Sequence, residues 1–287
     1  MQDPQENALI SAQSRWQESL LNNSVHRQSF HTELPTTTSK IDLAIISTHA
    51  NQRPNVIRNI ANFYDVKFWI LEKVLAQNVD GIDTIRNILQ ANTAWVNYPR
   101  RITPWHISLR AKVQSWKTLQ LKVAGGPWGL ACNATHFFDF VEWISGEKLV
   151  EVVTDRLDSH WIPAKRLGNF EVFGTLEGRF SKGSVVFLDS SRDGPPSYQY
   201  ELTDGKTRWL VNEEAGLAQC SSGEKIEGRL PYQSEMTGPL VDEILATGMC
   251  QLASLETSVS AHRLYIQAML QHWRYHHNPQ ATLVPIT

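Results

Sequence analysis

No glycine precedes Gly81, although the chain holds 16 of them. That absence removes the Gly-x-Gly-x-x-Gly turn with which a dinucleotide-binding domain ordinarily opens, because those glycines let the backbone reach a pyrophosphate at a helix N-terminus. Cysteine is scarce too. Cys132, Cys220 and Cys250 are odd in number and carry no paired spacing, which excludes a disulfide framework and a zinc ribbon. A reducing, cytoplasmic setting is expected. An excess of either charge is also lacking: 27 basic against 29 acidic residues give no field that would attract nucleic acid or an anionic membrane. Nothing approaches the roughly 20 apolar residues of a membrane span. The N-terminus has neither the basic nor the apolar region of a signal peptide. His272 and His276 stand four apart, yet no third ligand accompanies them, so no metal is expected.

What is present is an alternation of apolar patterns over 287 residues, a length that implies two domains. Ala8, Leu9, Ala12, Trp16, Leu20 and Leu21 recur at helical steps, and the spacing predicts a helix over residues 5–21. After a polar, Thr-rich stretch from Pro35 to Lys40, apolar runs at 41–47, 66–71 and 94–98 suit strands buried on both faces. Helical stripes separate them: Val56, Ile57, Ile60 and Ala61 behind Pro54, then Val79, Ile82, Ile85, Ile88 and Leu89. This β-α-β-α-β order argues for a doubly wound parallel sheet. The character changes near Pro99-Arg100-Arg101, dividing a first domain, 1–99, from a second, 100–287. A helix at 105–116, a strand at 118–123 and a helix from His136 to Ile144 come first. Short strands follow at 175–180, 184–188, 198–202 and 207–211. Asp204-Gly205 between two β-prone runs is a hairpin signal, so an antiparallel meander is expected. Leu240 to Leu245 and Val259 to Trp273 mark two closing helices.

Two segments carry chemistry. Lys73 ends the strand at 66–71, at the carboxyl edge where open parallel sheets bind ligands, with Glu72 beside it as an orienting partner or cap. The other is Gly125-Gly126-Pro127-Trp128-Gly129, running through Asn133 to His136 and Asp139. A lysine donor facing a histidine acid/base suits moving a proton on a hydroxyl or carbonyl while a cofactor takes the hydride. His136 is expected to open its helix, where the macrodipole disfavours imidazolium. Arg100 and Arg101 offer planar forks for an oxyanion, against the alternative of a solvated pair. Trp128 could stack on a sugar ring. Cys132 reads as a small buried side chain and Asp139 as a structural group. Asp3 stands where the acidic residue ending the second strand of a dinucleotide-binding domain bonds the cofactor ribose. On that placement the first strand and its Gly-rich turn are expected upstream of Met1. The competing explanation is a protein that has lost its cofactor site.

Together these segments resemble the glucose–fructose oxidoreductase / inositol dehydrogenase (Gfo/Idh/MocA) family, from about Asp3 to the C-terminus. The resemblance rests on Ile41-Asp42-Leu43-Ala44-Ile45-Ile46-Ser47-Thr48, on Leu71-Glu72-Lys73, and on Gly125 to Gly146 with its His-x-x-Asp and Trp-x-x-Gly. It implies an α/β fold: a Rossmann-type parallel sheet, here N-terminally truncated, followed by an α+β domain on an open, mostly antiparallel sheet. It also implies NAD or NADP as cofactor, with oxidoreductase activity on a hydroxyl or ketone of a sugar, cyclitol or sugar-nucleotide-like substrate. Glu72-Lys73 match a Glu-Lys-Pro motif whose lysine contacts substrate and cofactor, Val74 replacing the proline and so loosening the turn. His136 matches the acid/base histidine. Ser47, Thr48 and Asn51 match the loop approaching the nicotinamide ribose. In the same picture Asn97 and Tyr98 wall the pocket, Asn133 adjoins substrate, and Arg100 or Arg101 clamps an anion. Cys132 departs from the aspartate frequent at its position, and with it from the usual carboxylate–histidine–lysine relay. The open sheet face suggests a homo-oligomer. Two rival readings remain: a non-catalytic relative binding a sugar ligand as sensor or scaffold, and a plain interaction protein.

Overall fold

The computed structural model describes residues 1–18, 27–34, 40–89 and 93–287. Leu20, Leu21 and the Thr-rich residues from Pro35 to Ser39 lie outside them. Helix α1 spans Glu6–Glu18. The parallel sheet then begins with β1 (Lys40–Ile46), α2 (Arg53–Phe63), β2 (Asp65–Leu71), α3 (Val79–Ile88) and β3 (Thr93–Val96). Pro54 lies in the first turn of α2, where a missing N–H costs nothing, and the Asn78 side chain caps α3 by accepting from Gly81 N at 2.9 Å. β1 pairs β2 and β2 pairs β3, all parallel, as the alternation requires. The later half of β2 is buried on both sides, so its residues read as a continuous apolar run.

A single 3-10 turn at Pro99–Arg101 leads to α4 (Pro104–Val113), β4 (Gln120–Gly125) and α5 (Leu130–Ser145). Short strands follow: β5 (Leu149–Leu157), β6 (Ile162–Pro163), β7 (Phe170–Glu171), β8 (Gly174–Phe180), β9 (Val185–Ser190), β10 (Tyr198–Thr203), β11 (Arg208–Asn212), β12 (Leu217–Cys220) and β13 (Lys225–Glu227). The chain closes with α6 (Gln233–Thr247), β14 (Ala253–Ser254) and α7 (Leu255–His276). Eight of these strands form one sheet in the order β13-β12-β11-β10-β4-β9-β8-β5. It is largely antiparallel, but not a plain meander: β4 slides between β10 and β9 and runs parallel to β9. The Asp204-Gly205 hairpin forms as expected, with Asp204 Oδ1 accepting from Lys206 N and Thr207 N. β14 returns to the first sheet and pairs antiparallel with β3.

α5 is the keystone of packing. Phe137, Phe138 and Phe140 are each fully buried, contributing about 1.5–3 kcal/mol apiece by removal from water. β8 passes so close beneath α5 that a Cβ on Gly178 would meet Phe138 Cε1 at 2.7 Å, which only glycine avoids. The opposite sheet face exposes Val150 and Leu210 among Lys122 and Arg179. Among the described residues no helix is long and apolar enough to cross a membrane.

Candidate functional site

A cavity of about 810 Å³ opens at the carboxyl ends of β1 and β2, under the first turn of α5 and beside the short β6–β7 ribbon. Lys73 reaches into it from the turn after β2. Its ammonium donates to Cys132 O at 3.2 Å and contacts Cys132 Sγ at 3.1 Å and Asn133 Oδ1 at 3.4 Å. The turn that carries Lys73 is held from below by a buried arginine. Arg53 donates to the carbonyls of Thr48, Val74 and Leu75, tying the loop after β1 to the loop after β2. Arg53 thus pins the turn through main-chain carbonyls, which does not depend on the side chain at position 74. The Lys73–Val74 peptide is cis. Burial lowers the Arg53 guanidinium to about 10, still charged at neutral pH.

Ser47, Thr48, Glu72, Lys73, Trp128 and Asn133 all line this cavity. Thr48 Oγ1 is buried and has no hydrogen-bond partner among the described residues. Trp128 lends one edge of its ring while its indole N–H donates to Asp189 O at 2.7 Å. Asn133 Nδ2 donates to Trp128 O at 3.0 Å, fixing the amide that faces Lys73. Glu72 does not orient Lys73; it accepts from Asn97 Nδ2 at 2.5 Å.

Several expected residues stand elsewhere. α5 begins at Leu130, so His136 lies well inside the helix and not at its N-terminus. The macrodipole argument for its neutrality therefore fails. Burial is what holds His136 well below the usual imidazole range, with the positive charges of Lys73 and Arg100 adding to it. His136 lines a second, smaller cavity of about 270 Å³ with Arg100, Tyr198 and Glu213; Asn133 lines both. Its Nδ1 is buried without a partner among the described residues. Lys73 lines the larger cavity and His136 the smaller, Asn133 lines both, and the Lys73 charge is felt at His136.

Neither arginine is a free anion clamp. Arg100 forks onto Glu213, Nε to Oε1 at 2.7 Å and Nη2 to Oε2 at 2.9 Å. Arg101 forks onto Asp139, Nη2 to Oδ1 at 2.8 Å, which gives Asp139 its structural role. Asn97 supports Glu72, and Tyr98 packs its ring edge-on to His136 at 5.5 Å, so both stand behind the cavities instead of walling them. Asp3 accepts from Gln5 N at 2.8 Å at the start of α1, and Asn51 is exposed; neither lines either cavity. Cys132 is only half-buried, in contact with Lys73.

Sequence reasoning missed Arg53, Arg166, Asn169, Glu171 and Thr287, all of which line the larger cavity. Glu171 is the most informative. Its Oε2 accepts from Ala131 N at 2.8 Å and its Oε1 from Cys132 N at 3.2 Å, and burial raises its pKa to about 7. Its local sequence carries no motif. The C-terminal segment arrives by a similar route: Val284 N donates to Gln77 O at 2.9 Å and Phe170 N to Pro285 O at 2.8 Å.

No protein-family model and no curated protein sequence matches this chain. Solved structures do match. An oxidoreductase from Agrobacterium radiobacter, in complex with NAD+, L-tartaric acid and magnesium, superposes with a TM-score of 0.67 at 11% identity, covering 94% of this chain and 87% of that one. A super-repressor mutant of Gal80p from Saccharomyces cerevisiae gives 0.66 at 12% identity, covering 94% and 86%. UDP-N-acetylglucosamine 3-dehydrogenase from Acidithiobacillus ferrooxidans gives 0.60 at 11%, covering 80% and 77%. At these identities the likeness is one of fold. The chain has the two-sheet, Rossmann-like fold of the Gfo/Idh/MocA-type oxidoreductases.

Proposed function

We propose that this chain is an oxidoreductase acting on a hydroxyl or ketone of a sugar, cyclitol or sugar-nucleotide-like substrate, with NAD or NADP as hydride carrier. The observation that carries the reading is the Lys73 ammonium, held at a strand's carboxyl edge by Cys132 O and Asn133 Oδ1 inside an 810 Å³ cavity. An ammonium so fixed donates to the oxygen on which charge develops, and lowers the barrier by being in place beforehand. Trp128 and Phe170 supply apolar surface, and Asn133, Asn169 and Glu171 supply the polar groups that a polyhydroxylated ring needs.

The residues present fit one end of the cofactor. The unpartnered Thr48 Oγ1, with Ser47 and Glu72, would hold a nicotinamide ribose, and the bound ring would supply a hydride acceptor. No glycine turn joins a strand to a helix among the described residues ahead of β1, so they form no cradle for the pyrophosphate. One second reading is a non-catalytic sugar-binding relative, favoured by Cys132, which puts a thiol and no carboxylate against Lys73.

Titration with NADH and NADPH, followed by nucleotide fluorescence, separates the two. Nucleotide binding, with turnover of a sugar lowered about 100-fold or more in Lys73→Met at nearly unchanged nucleotide affinity, supports the enzyme. Sugar binding without any nucleotide binding refutes it in favour of the second reading.

A further inference from the structure

The N-cap of α5 is Gly129, which has no side chain with which to satisfy the first amides of the helix. Glu171 does so from outside: its two oxygens accept from Ala131 N and Cys132 N. The same turn of α5 anchors Lys73 through Cys132 and Asn133. The carboxyl and the ammonium are therefore attached to adjacent residues of one rigid turn, and both line the larger cavity. They form no ion pair with one another among the described residues, although the Lys73 charge is felt at Glu171. Each Glu171 oxygen uses one lone pair on a helix amide and keeps another for the cavity.

Resting on the function proposed above, we propose that Glu171 is a catalytic residue that exchanges a proton with the substrate hydroxyl hydrogen-bonded by Lys73. In the oxidative direction the substrate O–H bond breaks and its proton passes to a Glu171 oxygen. A bound oxidised nicotinamide would accept the carbinol C–H electrons as hydride as the C=O bond forms. Glu171 ends protonated and returns its proton to solvent through the cavity mouth. The carboxyl takes the acid/base role that the resemblance gives to His136, which lines the neighbouring cavity, while Cys132 supplies no carboxylate.

The surroundings suit such a group. Lys73 from the turn after β2 and the amides of α5 favour the ionised form, Tyr265 of α7 and Cys132 lie close by, and Lys165 and Arg166 belong to its own ribbon. Burial outweighs the ionising influences and sets the carboxyl at about 7, where it carries and releases a proton with equal ease. A plain helix cap needs neither that balance nor access to the cavity.

Infrared titration of the unliganded chain, with Glu171→Gln as reference, reads the carboxyl directly. A protonated-carboxyl band lost with a midpoint near 7 and absent from the variant is the expected result; a midpoint near the ordinary 4.5 overturns the proposal. Turnover is then followed with NAD+ or NADP+ and D-glucose, myo-inositol or UDP-N-acetylglucosamine. Glu171→Gln is expected to lower kcat by about 100-fold or more, with KM little changed and the pH limb near 7 gone. His136→Asn serves as the comparison. If the wild-type chain turns over none of the probes, the proposed function falls and this assignment with it. If the wild type is active and Glu171→Gln keeps its rate and pH profile, the assignment alone falls.

Discussion

Glu213 offers the sharpest test of the packing argument. Its carboxylate sits at the floor of the smaller cavity, 5% exposed in its side chain, and faces an Arg100 side chain that is 10% exposed. Besides the Arg100 fork it accepts from His106 Nε2 at 2.8 Å, Tyr198 OH at 2.7 Å and Tyr200 OH at 3.2 Å. This surplus of donors, with Arg100 the leading charge, holds the carboxyl well below the usual carboxylate range despite its burial. Glu213→Gln removes the charge but little volume. It leaves a buried guanidinium unpaired and sets an amide NH2 against donors that no longer have an acceptor. Breaking one partner of a buried pair costs about 3–5 kcal/mol, whereas replacing both by apolar groups is often close to neutral. Urea unfolding followed by tryptophan fluorescence should therefore show a loss of about 3–5 kcal/mol for Glu213→Gln and a smaller loss for Arg100→Met/Glu213→Gln. The folded pKa lies below the ordinary 4.5, so this stabilisation is present above that value and disappears as pH falls through the folded one. The variant should accordingly show a flatter acid limb. A loss under about 1 kcal/mol, or a double variant weaker than the single, would refute the account.

Two further outcomes follow from local geometry. Arg53→Met strips donors from the carbonyls of Thr48, Val74 and Leu75, and should cost about 2–4 kcal/mol in urea unfolding while weakening any ligand bound beside Lys73. A variant with unaltered midpoint and affinity would show that the two loops need no tie. Gly216→Ala places a Cβ 1.7 Å from Gly228 O at a φ of +64°, so the turn leading into β12 and the residue following β13 must move apart. Its expected cost is at least about 1–3 kcal/mol, and a thermal midpoint equal to wild type would disprove the close approach.

Much of the architecture was legible from periodicity. The 41–47, 66–71 and 94–98 runs each became a parallel strand within a residue or two; two-sided burial explains the apolar runs of β2 and β3, whereas β1 leaves Asp42 and Ile45 exposed and so is not covered on both faces as expected. Helix α5 was foreseen only in part. Its first turn follows a glycine N-cap and contains no capping side chain, so no local signal marks where it starts. That shift moved His136 from a helix terminus to an interior position. The meander was likewise broken by β4, a strand whose partners are distant in sequence and whose place between β9 and β10 no hairpin signal records.

The sequence by itself determined the elements, the absence of a glycine turn ahead of Gly81, and the placing of Lys73 at a strand edge. These depend on neighbours within a few residues. Tertiary structure alone decided which charges are free. Arg100 and Arg101 are taken up by Glu213 and Asp139, partners 113 and 38 residues away, while Glu171 comes to cap α5 from 40 residues beyond Ala131. Which carboxylate meets which cation, and how much water each keeps, is set by folding distance and burial, and neither is written in local spacing.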